Sequence, residues 1–161
     1  MTKEQFKNLF DLYFDDIRRY LYYRSGDTTV STDLAQDTFM RIWEKQMDLL
    51  PGRDTGLLYK IAGDLFVSHT RRERLRQEAP REIRFEQRES TPEDELNYQE
   101  LQEKYEKALL MLPENQRIAF LMSRTEDLTY GEIATRLSIS VKAVEKRVSG
   151  ALSRLRKELK T

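Results

Sequence analysis

Apolar residues recur at three- and four-residue steps along almost the whole chain, and no run alternates apolar and polar residues for long enough to make a strand. That period matches the 3.6-residue turn of a helix and not the two-residue repeat of a sheet, so the chain reads as all-α. Phe6, Leu9, Phe10, Tyr13, Phe14, Ile17, Tyr20 and Leu21 predict one long amphipathic helix. Thr2 with Gln5 forms its capping box, and Ser25-Gly26-Asp27 ends it. A second helix is expected from about Thr32 to Met47, with Leu34, Ala35, Phe39, Ile42 and Trp43 inward. Leu50-Pro51-Gly52-Arg53-Asp54 reads as a loop. A third helix follows from Thr55, carries Leu57, Leu58, Ile61, Ala62, Leu65 and Phe66, and runs out into Arg71, Arg72, Arg74 and Arg76.

The period then fails. From Ala79 to Ser90 only Ile83 and Phe85 are large and apolar among Arg, Glu and Gln, the pattern of a flexible linker. Thr91 caps a new helix with Pro92 at its first position. Leu96, Leu101, Tyr105, Ala108, Leu109 and Leu112 give it a stripe, Pro113 ends it, and another helix is expected over Glu114–Arg124. Two small helical domains are therefore expected, at 1–79 and 92–161, joined by a linker at 80–91.

Composition narrows the chemistry. Of 161 residues, none is Cys and one is His, so thiolate ligands and disulfides are excluded and a His-pair metal site or a Ser-His triad is disfavoured. Acidic residues are spread over polar faces without metal-ligand spacing. No catalytic residue, metal site or cofactor is expected. The longest apolar runs fall far short of the roughly 20 residues that span a bilayer, and nothing reads as a signal peptide. The expected location is the cytoplasm, without membrane insertion.

The 28 basic and 28 acidic groups cancel, which on its face argues against a nucleic-acid partner. Their distribution reverses that. Residues 55–88 carry 8 basic and 5 acidic groups, and residues 115–161 carry 10 and 5. Between them, residues 89–114 carry 2 basic and 8 acidic groups. Two basic blocks flank an acidic one.

The second basic block contains LTYGEIATRLSISVKAVEKRVSGALSRLRKEL. Thr129 and Glu132 form another capping box, with Ile133, Ala134 and Leu137 inward. Leu137-Ser138-Ile139 makes a tight turn, and Ser140 caps the next helix. Val141, Val144, Val148, Leu152 and Leu155 are expected to face inward. This is a helix-turn-helix, which offers its second helix to the DNA major groove. Lys142, Glu145, Lys146, Arg147 and Ser149 point outward. Lys and Arg bind guanine edges or phosphates, and Glu accepts from cytosine N4. By itself the motif fits a sigma factor and a response-regulator output domain equally.

Three other segments separate them. Leu34-Ala35-Gln36-Asp37-Thr38-Phe39-Met40-Arg41-Ile42-Trp43-Glu44 resembles the polymerase-clamp-binding helix of bacterial sigma factors. Leu58-Tyr59-Lys60-Ile61-Ala62-Gly63-Asp64-Leu65, running into Arg71-Arg72, is similar to their promoter-melting helix. Leu112-Pro113-Glu114-Asn115-Gln116-Arg117 resembles the opening of their C-terminal domain. Order and spacing resemble the extracytoplasmic-function (ECF) group of the sigma-70 family. A response regulator would need an α/β receiver pattern, and the first 90 residues show none.

The resemblance implies a factor that binds core RNA polymerase, opens the promoter −10 element and reads the duplex −35 element. It implies polymerase contacts at Asp33, Gln36, Asp37, Arg41 and Glu44. Contacts to single-stranded −10 DNA would fall on Arg53, Tyr59, Lys60, Asp64, Arg71, Arg72 and Arg74, and −35 contacts on Ser140, Lys142, Glu145, Lys146, Arg147 and Ser149. Asp64 stands where many members carry Asn, and Glu145 where Arg is common, so altered base preferences are expected. An anti-sigma partner is implied as well.

Overall fold

The capping box at Thr2 forms as its residue types require. The Gln5 backbone N–H donates to Thr2 Oγ1 at 3.1 Å, and the Thr2 N–H donates to Gln5 Oε1 at 2.9 Å. It opens α1 (Lys3–Ser25) in the computed structural model, which describes residues 1–76 and 96–160. Gly26 ends α1 with φ 68°, and its N–H reaches the Tyr22 carbonyl at 2.8 Å. A side chain there would crowd the backbone, whereas glycine adopts this left-handed conformation freely.

Asp27 caps α2 (Thr28–Glu44), its carboxylate accepting from the Val30 N–H at 3.1 Å. The helix thus begins four residues before the Thr32 expected from apolar spacing. Thr28–Ser31 are weak helix formers, but the cap and the burial of Ser31 hold them helical. The Ser31 hydroxyl donates to the Thr28 carbonyl at 2.9 Å, so its burial leaves no polar group unsatisfied. The end also comes early, because Gln46 turns left-handed at φ 48° and the Met47 N–H closes back on Ile42 O at 3.1 Å.

α3 spans Thr55–Arg76. The three helices pack mutually around Leu9, Ile17, Leu21, Leu34, Ala35, Phe39, Ile42, Leu58, Ala62 and Phe66. Phe39 is fully buried and meets Phe10 edge-on, with ring centroids 5.2 Å apart. Trp43 is half-buried, 5.2 Å from the Phe6 ring. Such aromatic pairs add about 0.5–1.5 kcal/mol each beyond their buried area. Leu57, expected inward on α3, is exposed.

The remaining helices are α4 (Leu96–Met111), α5 (Glu114–Thr125), α6 (Tyr130–Leu137) and α7 (Val141–Lys160). α7 packs on α4 and α5 through Val144, Val148, Ala151 and Leu155, a stripe at helical spacing. At Gly150 the α7 backbone lies close to the end of the Gln116 side chain, whose Nε2 would be 2.8 Å from a Cβ built there. Three residues expected inward are exposed: Leu101 on α4, and Val141 and Leu152 on α7. Leu152 lies on the flank of its stripe, and Val141 precedes the first buried turn.

All seven helices and the absence of any strand among the described residues agree with the all-α reading. The chain divides into two compact units, one carrying α1–α3, the other α4, α5, α7 and most of α6. The expected linker at 80–91 and the Thr91–Pro92 helix start lie outside the described residues.

Candidate nucleic-acid interface

The helix-turn-helix is assembled by local hydrogen bonds. The Glu132 N–H donates to Thr129 Oγ1 at 3.1 Å, and Glu132 Oε1 accepts from the Thr129 N–H at 3.2 Å, so α6 starts at its capping box. Ser138 turns the chain with φ 57°, and the Ile139 N–H returns to the Ala134 carbonyl at 3.1 Å. Ser140 Oγ then accepts from the Ala143 N–H at 3.0 Å and caps α7. One of the backbone donors that a helix start leaves open is thereby satisfied, and the first turn of α7 is held rigid. Lys142, Glu145, Lys146 and Ser149 are exposed on that rigid segment, and Arg147 is half-buried beside them.

The α3 residues divide less evenly. Lys60, Asp64, Arg71 and Arg74 are exposed at steps of four, seven and three residues, which keeps them on one side of the helix, with Arg72 beside them. Arg76 differs from the other arginines in lying 3.8 Å from Glu73. Tyr59, expected to face DNA, is instead buried against Tyr20, with ring centroids 5.1 Å apart and edge-on geometry. It follows Leu58 on the inner side of α3 and supports the helix.

Arg53 stands in a loop fixed from three directions. Gly52, at φ 84°, donates its N–H to the Tyr13 hydroxyl at 3.0 Å. Thr55 Oγ1 lies 3.4 Å from the same hydroxyl. Asp54 Oδ2 accepts from the Leu50 N–H at 2.8 Å and from Arg53 at 3.0 and 3.2 Å. The Leu50 N–H first, and Arg53 after it, hold the Asp54 carboxyl below the usual carboxylate range, against a smaller opposing effect of burial. Tyr13 reads from the sequence only as one more apolar-stripe residue, and its hydroxyl's role in the loop was not legible there.

On α2, Asp33, Gln36, Asp37, Arg41 and Glu44 are all exposed along one face, opposite Leu34, Ala35, Thr38, Phe39 and Ile42. Met40 lies among them and is 56% exposed. Its register, three and four residues from Asp37, Gln36 and Glu44, was the available signal that it belongs to this ridge. Among the described residues no group of three or more His, Asp or Glu side chains is arranged to hold a metal ion. None of the described helices is long and apolar enough to cross a membrane.

Residues 102–155, from within α4 into α7, match the family described as Sigma-70, region 4. The chain is similar to the ECF RNA polymerase sigma factor SigE of Mycolicibacterium smegmatis, at 31% identity over 145 residues. That alignment covers 88% of this chain and 56% of the relative, so the chain spans little more than half of that relative's length. It is also similar to the ECF sigma factor SigW of Bacillus subtilis, at 25% identity over 98% of this chain and 90% of the relative. Among solved structures, it resembles the sigma factor RpoE of Bartonella quintana in complex with the anti-sigma factor NepR. That match has a TM-score of 0.65 and 26% identity, and covers 97% of each chain. The chain is thus similar to ECF sigma factors along nearly its whole length, and to sigma-70 region 4 over residues 102–155.

The segment matched to region 4 encloses the caps, turn and exposed basic face described above. Between Arg136 and Lys160 there are 8 basic and 2 acidic residues. A basic helix of that kind is suited to phosphate as well as to base edges.

Proposed function

We propose that this protein binds core RNA polymerase, directs it to specific promoters and helps open the DNA, acting by binding and not by catalysis, in the cytoplasm. The observation that carries the reading is the capped helix-turn-helix, whose second helix exposes Lys142, Glu145, Lys146 and Ser149 within the segment matched to sigma region 4. In this reading residues 1–79 form the polymerase-binding and −10-opening domain, and 92–161 the −35-reading domain.

The exposed ridge of α2 suits a protein partner better than DNA. Asp33, Asp37 and Glu44 would repel phosphate, while Met40 at its centre offers apolar, adaptable contact. Gln36 and Arg41 complete a mixed polar surface that fits a groove or coiled coil on polymerase. Lys60, Arg71, Arg72 and Arg74 on α3 supply the positive track that an unpaired −10 strand requires. Asp64 among them accepts only from base amino groups. Arg53 adds a cation from the fixed loop, and Tyr59 acts as a support beneath this face.

An anti-sigma protein that covers these faces would keep the factor from polymerase, and the likeness to RpoE in its complex with NepR supports such a partner. Permanganate footprinting tests the opening step. Core polymerase with this protein is expected to render −10 thymines reactive on a cognate promoter. Equal reactivity with core polymerase alone would overturn the reading.

A further inference from the structure

Val141 opens α7 and is 46% exposed, although its apolar side chain and spacing place it among the inward residues. The buried stripe begins later, at Val144. With successive residues about 100° apart around the axis, the outward side of the first turns divides into two edges. Val141 and Glu145, four residues apart, form one edge. Lys142 and Lys146 form the other, and Ser149 falls between them; all five are exposed. One edge is apolar and anionic, the other cationic.

These edges differ in what they can recognise on DNA. The lysines suit phosphates or guanine O6 and N7. A carboxylate only accepts hydrogen bonds, so Glu145 is repelled by phosphate and needs a donor. The major groove offers two, cytosine N4 and adenine N6. Adenine places its N7 acceptor beside that donor, which opposes a carboxylate; cytosine has only C5–H beside N4. Glu145 therefore favours cytosine. Val141 has no polar side-chain atom, and the apolar feature of the major groove is the thymine C5 methyl. The two residues are about 6 Å apart along the helix axis. That is under two base-pair steps at about 3.4 Å each.

Building on the promoter-reading function above, we propose that Val141 and Glu145 jointly determine the −35 sequence. Glu145 accepts from the N4 amino group of a cytosine, and Val141 packs on the C5 methyl of a thymine within two base pairs of it. Lys142 and Lys146 hold the neighbouring guanine edges or phosphates. The chain thus selects a C-and-T-containing step through one neutral and one anionic residue, neither of which adds to non-specific binding.

The test uses holoenzyme reconstituted from core polymerase and the full chain, offered a promoter library randomised across the −35 element. Wild type is expected to select cytosine at one position and thymine within two base pairs. Glu145→Gln, whose amide pairs with adenine N6 and N7, is expected to shift the first position towards adenine by about tenfold or more. Val141→Ala is expected to keep the cytosine and weaken the thymine preference. Replacing that thymine by deoxyuridine, which removes only the methyl, is expected to cost wild type roughly three- to fourfold and Val141→Ala little. An identical selected motif in all three proteins, or no penalty from deoxyuridine in wild type, overturns the proposal. The deoxyuridine arm needs no protein variant, so it stands whatever a substitution does to folding. A holoenzyme that selects no −35 sequence at all overturns the promoter-reading function itself.

Discussion

Ser140 separates two roles that one hydroxyl can play, and substitution can tell them apart. Its Oγ accepts from the Ala143 N–H at 3.0 Å, while its carbonyl accepts from Val144 at 3.1 Å, so it is the N-cap of α7. Ser140→Ala removes the side-chain acceptor and leaves an open donor at the helix start, at a cost of about 1 kcal/mol. For a unit of roughly 60–100 residues that corresponds to a melting temperature lower by about 4–8 °C. Ser140→Asp keeps an acceptor of equal capping strength and a charge that suits the helix N-terminus, so its melting is expected to stay near wild type. If α7 reads the −35 element as proposed, that same charge would face DNA phosphate, and promoter affinity is expected to fall in Ser140→Asp although stability does not. The assays are thermal denaturation of the full chain by helical circular dichroism and −35 duplex binding by the holoenzyme. A Ser140→Ala protein melting within about 1 °C of wild type would refute the capping argument, since the lost bond predicts a larger shift. A Ser140→Asp protein with unchanged DNA affinity would refute the placement of this cap against phosphate.

Other substitutions probe separate parts of the structure. Ser138 holds φ 57°, a conformation that glycine adopts without crowding, so Ser138→Gly is expected to raise stability by about 1 kcal/mol; lower thermal stability would contradict this. Tyr13→Phe removes the acceptor for the Gly52 N–H at 3.0 Å and is expected to cost about 1 kcal/mol and speed amide exchange at Gly52. The depressed Asp54 carboxyl stabilises its loop fully above the ordinary value of 3.8, and this is lost as pH falls through the lower folded value. An NMR titration of the Asp54 carboxyl is expected to give a midpoint below 3.8; a midpoint at or above it would contradict the geometry.

Helix type and caps were legible because they depend on neighbours in sequence. Thr2 with Gln5, Thr129 with Glu132, and Ser140 each form the bonds that their spacing predicts. Helix bounds were less legible where tertiary contact overrides propensity: Asp27 and the buried Ser31 bring α2 forward to Thr28. Burial at stripe edges was least legible, since apolar spacing gives an angle around the helix and not what lies opposite it. Val141 and Leu101 have plausible stripe positions yet are exposed, and Tyr59, expected at single-stranded DNA from the family resemblance, is buried against Tyr20. The α2 ridge is marked in the sequence by its polar residues, whereas Met40 shares their register but has the side chain of a core residue, so its exposure is visible only in the fold.

The neutral total of 28 basic and 28 acidic groups conceals a basic α7 and an acidic block before it. On this account the free chain binds DNA weakly, and polymerase supplies the remaining affinity. Run-off transcription with purified core polymerase tests this division of labour most directly. With the protein present, specific transcripts are expected from a cognate promoter, and Asp37→Lys or Arg41→Glu is expected to lower them by weakening polymerase association. Promoter binding by the free chain as tight as by the holoenzyme, with no specific transcript formed, would contradict the account.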